Sequence, residues 1–294
     1  MVLEKSYASK LFDVLLIVIL IFIALLCVMP LWYTLAVSLS DKAAAAAGDV
    51  GLWPVGFNLH SYKQIMGDAK FFHSFLVSVE RVALAVIVSI AVIVLMAYPL
   101  SKSTQEFRLR NVLMWILVFT MLFNGGLIPW YMTVKSLHLI DSIWALVLGG
   151  SLPVFHVILV VNFFRNLPKE MEEAALVDGA GPWLMLIKMF IPLSVPVVAT
   201  VTLFTIVFHW NEFFNGLVLT SRESHYPLQT YIQQLVVVIN TQTMTEDQLK
   251  TLNELSNQTL NAAKIFIAMV PVLAVYPFLQ RFFIHGITLG SVKE

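Results

Sequence analysis

Asn166-Leu-Pro-Lys-Glu-Met-Glu-Glu-Ala-Ala-Leu-Val-Asp-Gly-Ala-Gly-Pro-Trp183 is a charged stretch that does not read as a simple connector. Pro168 suits the first turn of a helix, and Glu170, Glu172 and Glu173 suit its positive N-terminal end. Gly179 and Gly181 followed by Pro182 form a stop signal. Together these signals predict a helix of about ten residues, a sharp turn, and a second helix leading into the apolar residues beyond. Glu170, Glu173 and Val177 fall at i, i+3 and i+7 and share one face. Beside them Ala174 and Ala175 carry little bulk and permit another surface to come close.

Outward from this stretch the chain is overwhelmingly apolar. Of its 294 residues 59% are hydrophobic and only 12% are charged, against about 25% charged in soluble proteins. So few charges cannot cover that much apolar surface, which excludes a cytosolic enzyme and, equally, a disordered chain. Lys+Arg and Asp+Glu balance at 18 each, so no basic excess points to nucleic acid. Cys27, the single cysteine, lies in an apolar run and forms no internal disulfide. The composition is that of an integral membrane protein.

A membrane-crossing helix needs about 20 mostly apolar residues. Six stretches qualify, at about 11–39, 71–100, 112–134, 142–164, 190–220 and 262–285. Several contain proline, which a helix bundle tolerates when neighbouring spans satisfy the freed carbonyls. The runs are continuous rather than alternating, which disfavours a transmembrane barrel. The first is too long for the core of a cleaved signal and is expected to be retained. Lys5, Lys10, Lys102, Arg108, Arg110, Arg165, Lys169, Lys188, Arg281 and Lys293 are concentrated in segments that share one side with the N-terminus. The opposite segments hold Lys42, Lys63, Lys70, Lys135, Arg222, Lys250 and Lys264 over a greater length. The bias puts the N-terminus inside, and six spans return the C-terminus to the same side. The expected fold is therefore an all-α membrane protein with both termini cytoplasmic, and residues 166–192 form a cytoplasmic loop.

An acidic helix at that position has two readings. It is either a surface helix lying at the headgroups or a docking device for a soluble partner. Its carboxylates fit poorly against an anionic inner leaflet and well in a protein cleft lined with donors.

Glu173-Ala174-Ala175, then Gly179, then Ile191-Pro192 resembles the EAA loop of binding-protein-dependent ABC importers. The family pattern runs E-A-A, three residues, G, nine residues, I-x-L-P; here Met189 and Ile191 replace its Ile and Leu. Nearly the whole chain is similar to the carbohydrate-uptake permeases of the maltose-transporter type. Supporting stretches are Gly126-Leu-Ile-Pro-Trp-Tyr131, Phe163-Phe164-Arg165-Asn-Leu-Pro168, Trp210-Asn-Glu-Phe213, Gln280-Arg-Phe-Phe-Ile-His-Gly286 and Gly290-Ser-Val-Lys293. Phe123-Asn-Gly-Gly126 resembles the polysaccharide- and oligosaccharide-uptake subgroup.

The resemblance implies the type I ABC importer permease fold in the cell membrane. It implies a second permease subunit, usually non-identical, two cytoplasmic ABC ATPase subunits, and an extracellular sugar-binding protein that delivers an oligosaccharide. The ATPase-coupling residues it implies are Glu172, Glu173, Ala174, Ala175, Asp178, Gly179, Ala180 and Gly181, with Gly290 and Lys293 as further ATPase contacts. No G-x-x-x-x-G-K-[ST] motif occurs, so this chain is expected to hydrolyse no ATP and to bind no cofactor or metal itself. ATP and Mg belong to the partner ATPases. Their closure pulls the docked helix sideways and rocks the attached spans, with Gly179 as the corner of the lever.

A sugar path needs polar and aromatic groups within the spans. The candidates are Asn124, Trp130, Tyr131, His156, Asn162, His209, Trp210, Asn211 and Glu212. Trp130, Tyr131 and Trp210 serve equally as interfacial belt residues, and His156 and Asn162 as interhelical hydrogen bonders. Glu212 follows His209 by three, so both could share a helical face and bridge to the partner permease. Glu80 and Arg81 read as local stabilisers or partner contacts. The external segment 221–261 is rich in amides and suits contact with the delivery protein. The rival readings are a permease for a non-sugar solute and a membrane-embedded glycosyl- or acyltransferase. The histidines are scattered and show no metal spacing, which counts against the enzyme.

Overall fold

The computed structural model describes residues 7–150, 152–236 and 258–291. They are helical and divide into two compact units, residues 1–69 with 234–269 and residues 70–233 with 270–294.

The first unit is led by α1 (Tyr7–Ser38), whose apolar length from Ser9 suffices to cross a bilayer and whose most apolar window buries nothing within the chain. Packing does not shape it; its continuous Leu, Ile and Val side chains are surface for lipid or another protein. Its end is polar and tied down. Trp32 Nε1 donates to the Leu52 carbonyl at 2.7 Å, and Ser40 Oγ takes the Val55 amide at 3.0 Å. Asp41 caps α2 (Lys42–Ala47) through the Ala43 amide at 3.2 Å. α3 (His60–Met66) follows, and Lys264 reaches Asp68 at 2.7 Å in the same unit.

The second unit carries α4 (Ala69–Ser101), the second uninterrupted helix of membrane length. After it the expected spans break up. Residues 112–134 form two helices, α5 (Arg110–Leu122) and α6 (Leu127–Ser136), bent by 116°. At the break the Asn124 side chain accepts the Gly126 amide at 2.9 Å, a local bond that competes with helix. Residues 142–164 likewise form α7 (Ile143–Leu148) and α8 (Val154–Arg165). Pro153 offers no amide and disfavours helix in the residue before it, so the chain stops and restarts there. Next come α9 (Lys169–Val177) and α10 (Pro182–Met185), a π turn at Leu186–Phe190, and α11 (Ile191–Leu193). From Pro182 to Leu193 the chain is bent by 79° against α12 (Val195–Asn211). The predicted continuation to 220 is a separate helix, α13 (Phe214–Leu219). α14 (Leu228–Val236) and α15 (Gln258–Ser291) complete the described chain.

Three of the six expected spans are therefore interrupted rather than continuous. Each interruption is only a few residues long between apolar stretches, so hydropathy averaged over a span merges the pieces. Among the described residues three helices are long and apolar enough to cross a membrane, and the two bent pairs bring that to five. α8 is apolar but shorter.

The core of this unit combines β-branched side chains with the large Tyr98, Phe164, Leu186 and Phe190. Val157, Val160 and Val161 of α8 are fully buried against Ile93 and Ala97 of α4, Leu186 and Phe190, and Val197 and Val201 of α12. At the other end of α12, Gly216 lets α13 press against Thr230: a Cβ there would stand 2.0 Å from Oγ1 and 2.9 Å from Cβ of Thr230. Overpacking of this kind costs about 1–3 kcal/mol. Gly216→Ala is thus expected to lower the thermal midpoint of the detergent-solubilised protein, read by tryptophan fluorescence. Gly51→Ala, whose added methyl meets nothing within 4 Å, is the matched control and leaves the midpoint in place.

Candidate functional site: an exposed acidic helix and a cavity at a helix break

α9 occupies the stretch predicted to be helical, with Pro168 one position earlier than expected, at the cap rather than in the first turn. Glu170 and Glu172 lie in its first turn, where the helix dipole favours them. None of its residues is buried. Glu173, Ala174, Leu176, Val177 and Asp178 are exposed. Ala175 and Ala180 lean inward against the α4/α8 core. The two alanines predicted to act alike therefore divide, Ala174 outward and Ala175 inward.

Gly179 turns the chain with φ +78°, and the Ala180 amide bonds the Ala175 carbonyl at 2.9 Å. Only backbone conformation constrains the position, because an added Cβ meets nothing within 4 Å. Glu172 does not face outward with Glu173; it forms an ion pair with Lys102. In the α4–α5 connection Ser103 and Glu106 bond each other reciprocally across a turn, as the two residues of a capping box do. The Ser103 amide donates to Glu106 at 2.7 Å and the hydroxyl at 2.5 Å, and the Glu106 amide returns to Ser103 Oγ. Those two donors, the hydroxyl foremost, hold the Glu106 carboxyl below its usual range.

The second feature is a cavity of about 530 Å³ at the α7–α8 break, lined by Gly149, Gly150, Pro153, His156, Phe204 and Phe208 among others. Its volume is that of a small-ligand site. His156 stacks on Phe204 with centroids 5.6 Å apart, and its buried Nδ1 has no partner among the described residues. Phe204 and Phe208 lie one turn apart on α12 and present one face. The start of α8 has no side-chain cap.

Of the other residues predicted for a sugar path, Trp130 comes up beside Gly149. Trp130 and Tyr131 otherwise pack on Val134, Ala145, Leu146 and Leu219. Asn124 is spent on the α5–α6 turn. Asn162 is exposed on α8 and lines none of the cavity. Asn211 bonds the Val207 carbonyl at 2.9 Å. Trp210 is buried edge-on to Phe75 at 5.6 Å, which removes it from any interfacial belt.

Glu212 and His209 do not share a helical face, because α12 ends at Asn211 and Glu212 is extended. Instead Arg81 of α4, fully buried, donates to the Glu212 carbonyl at 2.9 Å and to its Oε2 at 2.5 Å. Glu212 Oε1 accepts the Asn215 amide at 2.7 Å. His209 is buried with neither ring nitrogen partnered among the described residues. A lone arginine in an apolar run was the sequence signal for this pair; its partner, 131 residues on, was not deducible. Gly290 lies in the backbone of α15, while Lys293 and most of 221–261 fall outside the described residues.

An exposed acidic helix closed by a left-handed glycine and packed by its inner alanine onto long apolar helices is a specific arrangement. The model of the family described as binding-protein-dependent transport system inner membrane component matches residues 84–289. This chain belongs to that family. The permease is 36% identical to the polygalacturonan/rhamnogalacturonan transport system permease protein YtcP of Bacillus subtilis (strain 168), over 97% of this chain and 99% of that protein. It is also 36% identical to Protein LplC of the same organism, over 99% and 97%. Among solved structures it is similar, at 33% identity and a TM-score of 0.85, to a chain of a bacterial ABC transporter involved in the import of the acidic polysaccharide alginate, covering 95% of this chain and 99% of that one.

Two outcomes are expected for the permease. Left-handed backbone costs a branched residue about 1–2 kcal/mol and asparagine less, so Gly179→Leu abolishes transport in a normally inserted protein while Gly179→Asn retains it, measured by uptake and membrane fractionation. Breaking a buried ion pair costs about 3–5 kcal/mol and an exposed one about 0–1. Arg81→Leu therefore lowers the thermal midpoint far more than Lys70→Leu, whose partner Glu223 is as exposed as Lys70 itself.

Proposed function

We propose that this chain is one permease subunit of an ATP-driven importer that takes up oligosaccharides or polysaccharide fragments by alternating access. The observation that carries the proposal is α9, a charged helix that buries none of its own residues yet is joined on both sides by short turns to helices that contribute to the core. Such a helix is a handle. In this reading six membrane segments, three of them broken, place both termini and α9 in the cytoplasm, as the Lys/Arg bias requires. A second permease subunit completes the pore, two ATPase subunits receive α9 and its counterpart through Glu173, Ala174, Asp178, Gly179 and Gly181, and an extracellular binding protein delivers the cargo. Gly290 and Lys293 extend the ATPase contact.

The cavity at the α7–α8 break supports a sugar path. Irregular backbone at membrane depth is tolerated where it lines a cavity, and broken helices with free ends mark binding sites in transporters. Phe204 and Phe208 offer faces for a pyranose ring, while His156 and the uncapped start of α8 offer polar groups at its edge. One relative's name gives polygalacturonan/rhamnogalacturonan as its cargo and the solved transporter imports the acidic polysaccharide alginate, which together favour an acidic cargo here. A helix N-terminus suits a carboxylate.

The test is co-purification of the complex followed by ATPase assays in proteoliposomes with the delivery protein. Oligogalacturonides and alginate oligosaccharides are compared with maltodextrins. Acidic oligosaccharides are expected to stimulate hydrolysis and accumulate inside. Stimulation by maltodextrins alone overturns the acidic cargo, and failure of any ATPase to co-purify overturns the importer.

A further inference from the structure

α9 has little apolar grip on the bundle, because it buries none of its residues and only Ala175 of the helix leans on the core. Beside it lies a cavity of about 700 Å³, lined in part by Ser103, Glu106, Arg110, Arg165 and Glu172. A helix pushed sideways next to that much space moves into it before it moves anything else. Beyond the short turns at its two ends and the contact of Ala175, force applied to α9 crosses to α4 only if something stiff bridges the gap.

One charged contact does so. Lys102, the residue after the end of α4, pairs with Glu172 of α9, and the side chains are 12% and 22% exposed. Its ammonium lies 4.5 Å from the centroid of the Tyr98 ring and 4.7 Å from that of Phe190. Those rings meet edge-on at 4.9 Å, and Phe190 meets Phe164 edge-on at 5.2 Å. A single cation thus touches α4, α9 and the π turn leading to α12, and through Phe190 it abuts α8. Partial burial strengthens both the ion pair and the cation–π contacts over their exposed counterparts. The end of α4 is itself pinned: Arg110 Nε and Arg165 Nη2 both donate to the Leu100 carbonyl, at 3.1 and 2.9 Å.

We infer that Lys102 is a positioning residue for transport, the strut that carries a displacement of α9 into α4 instead of letting α9 swing into the adjoining cavity. The inference rests on the importer reading for the source of the displacement. Removing the charge leaves α9 folded and able to dock, since its outward face is untouched. It severs the link between the docked helix and the span.

The experiment uses the full complex with Cys27→Ser and spin labels at Leu95→Cys on α4 and Lys169→Cys on α9. With Lys102 present, the Leu95–Lys169 distance is expected to stay single and narrow both without nucleotide and with ATP plus vanadate. Lys102→Met is expected to broaden it with nucleotide, and Lys102→Arg to restore the narrow distribution. In parallel, oligogalacturonide uptake per ATP is expected to fall about tenfold in Lys102→Met, the effect of losing about 1.4 kcal/mol of a part-buried pair. The exchange Lys102→Glu with Glu172→Lys is expected to recover part of it, which a purely space-filling role for Lys102 does not predict. Equally narrow distances with and without the lysine, or a broad distance in the parent, overturn the strut. Absence of any uptake in the parent overturns the importer reading alone, because the distance comparison stands without cargo.

Discussion

The buried pair of Arg81 and Glu212 is the constraint around which the larger unit is arranged. A guanidinium at 0% exposure in apolar surroundings is tolerable only if its charge and hydrogen bonds are met locally. Glu212 meets the charge and two of the donors, taking Nη1 on its carbonyl and Nη2 on one carboxylate oxygen, while Nε has no partner among the described residues and the other carboxylate oxygen accepts the Asn215 amide at the start of α13. The carbonyl is available because α12 stops one residue earlier. The helix break and the buried arginine therefore answer each other. The same neighbourhood is knotted further by Ser78 Oγ, which takes the Leu228 amide at 2.7 Å, and by Thr230 Oγ1, which donates to the Phe213 carbonyl at 2.9 Å. The Glu212 and Phe213 carbonyls freed by the α12–α13 interruption go to side chains of α4 and α14, and the Asn215 amide goes to the Glu212 carboxylate, as a low-dielectric setting demands.

Legibility in the sequence followed the range of the interactions. α9 was readable because its determinants are local: a proline at its cap, acids in its first turn, and a glycine at φ +78° closing it. α1 and α4 were readable because length and apolarity alone specify them. The broken spans were not, because Phe123–Gly126 and Gly149–Pro153 differ from a tolerated kink only in what the freed groups bond to. That partner is the Asn124 side chain at the first break, and at the α12–α13 break it is the side chains of Arg81 and Thr230. Family likeness covered the whole chain but could not say which acids face inward. Glu172 and Glu173 are adjacent on one helix, and only the position of Lys102, 70 residues earlier, separates them. Likewise Glu212 was singled out for the wrong companion. Helical spacing to His209 presupposes a helix that has already ended.

The exposed apolar surface follows the same logic at larger scale. Leu11 to Met29 on α1 is exposed along nearly its whole length, whereas α8 buries Val157, Val160 and Val161 completely. Apolarity is common to both and decides nothing about depth. Neighbours decide it: the α8 valines meet α4, α12 and the π turn, whereas the most apolar window of α1 is covered by nothing among the described residues and is left for lipid or a partner.

α12 connects the two features on which the proposed importer reading rests. Its 17 residues extend about 25 Å, nearly the hydrocarbon thickness of a bilayer. One end leaves the segment that follows α9 and contains Phe190, one wall of the Lys102 cage; the other ends at the Arg81–Glu212 pair. Between them Phe204 and Phe208 form one wall of the cavity whose other wall is the α7–α8 break. Of the two ends the arginine end is the stiffer, since moving it exposes or unpairs a buried charge, while the other is already bent by 79° and bears a π turn. On the proposed importer reading, a sideways force at the α9 end would pivot α12 about Glu212. The wall carrying Phe204 and Phe208 would move with it, and the cavity would change shape in proportion to its distance from the pivot. A rigid anchor at one end and a hinged handle at the other are what that reading requires of α12 to turn a pull on α9 into a change at the cavity.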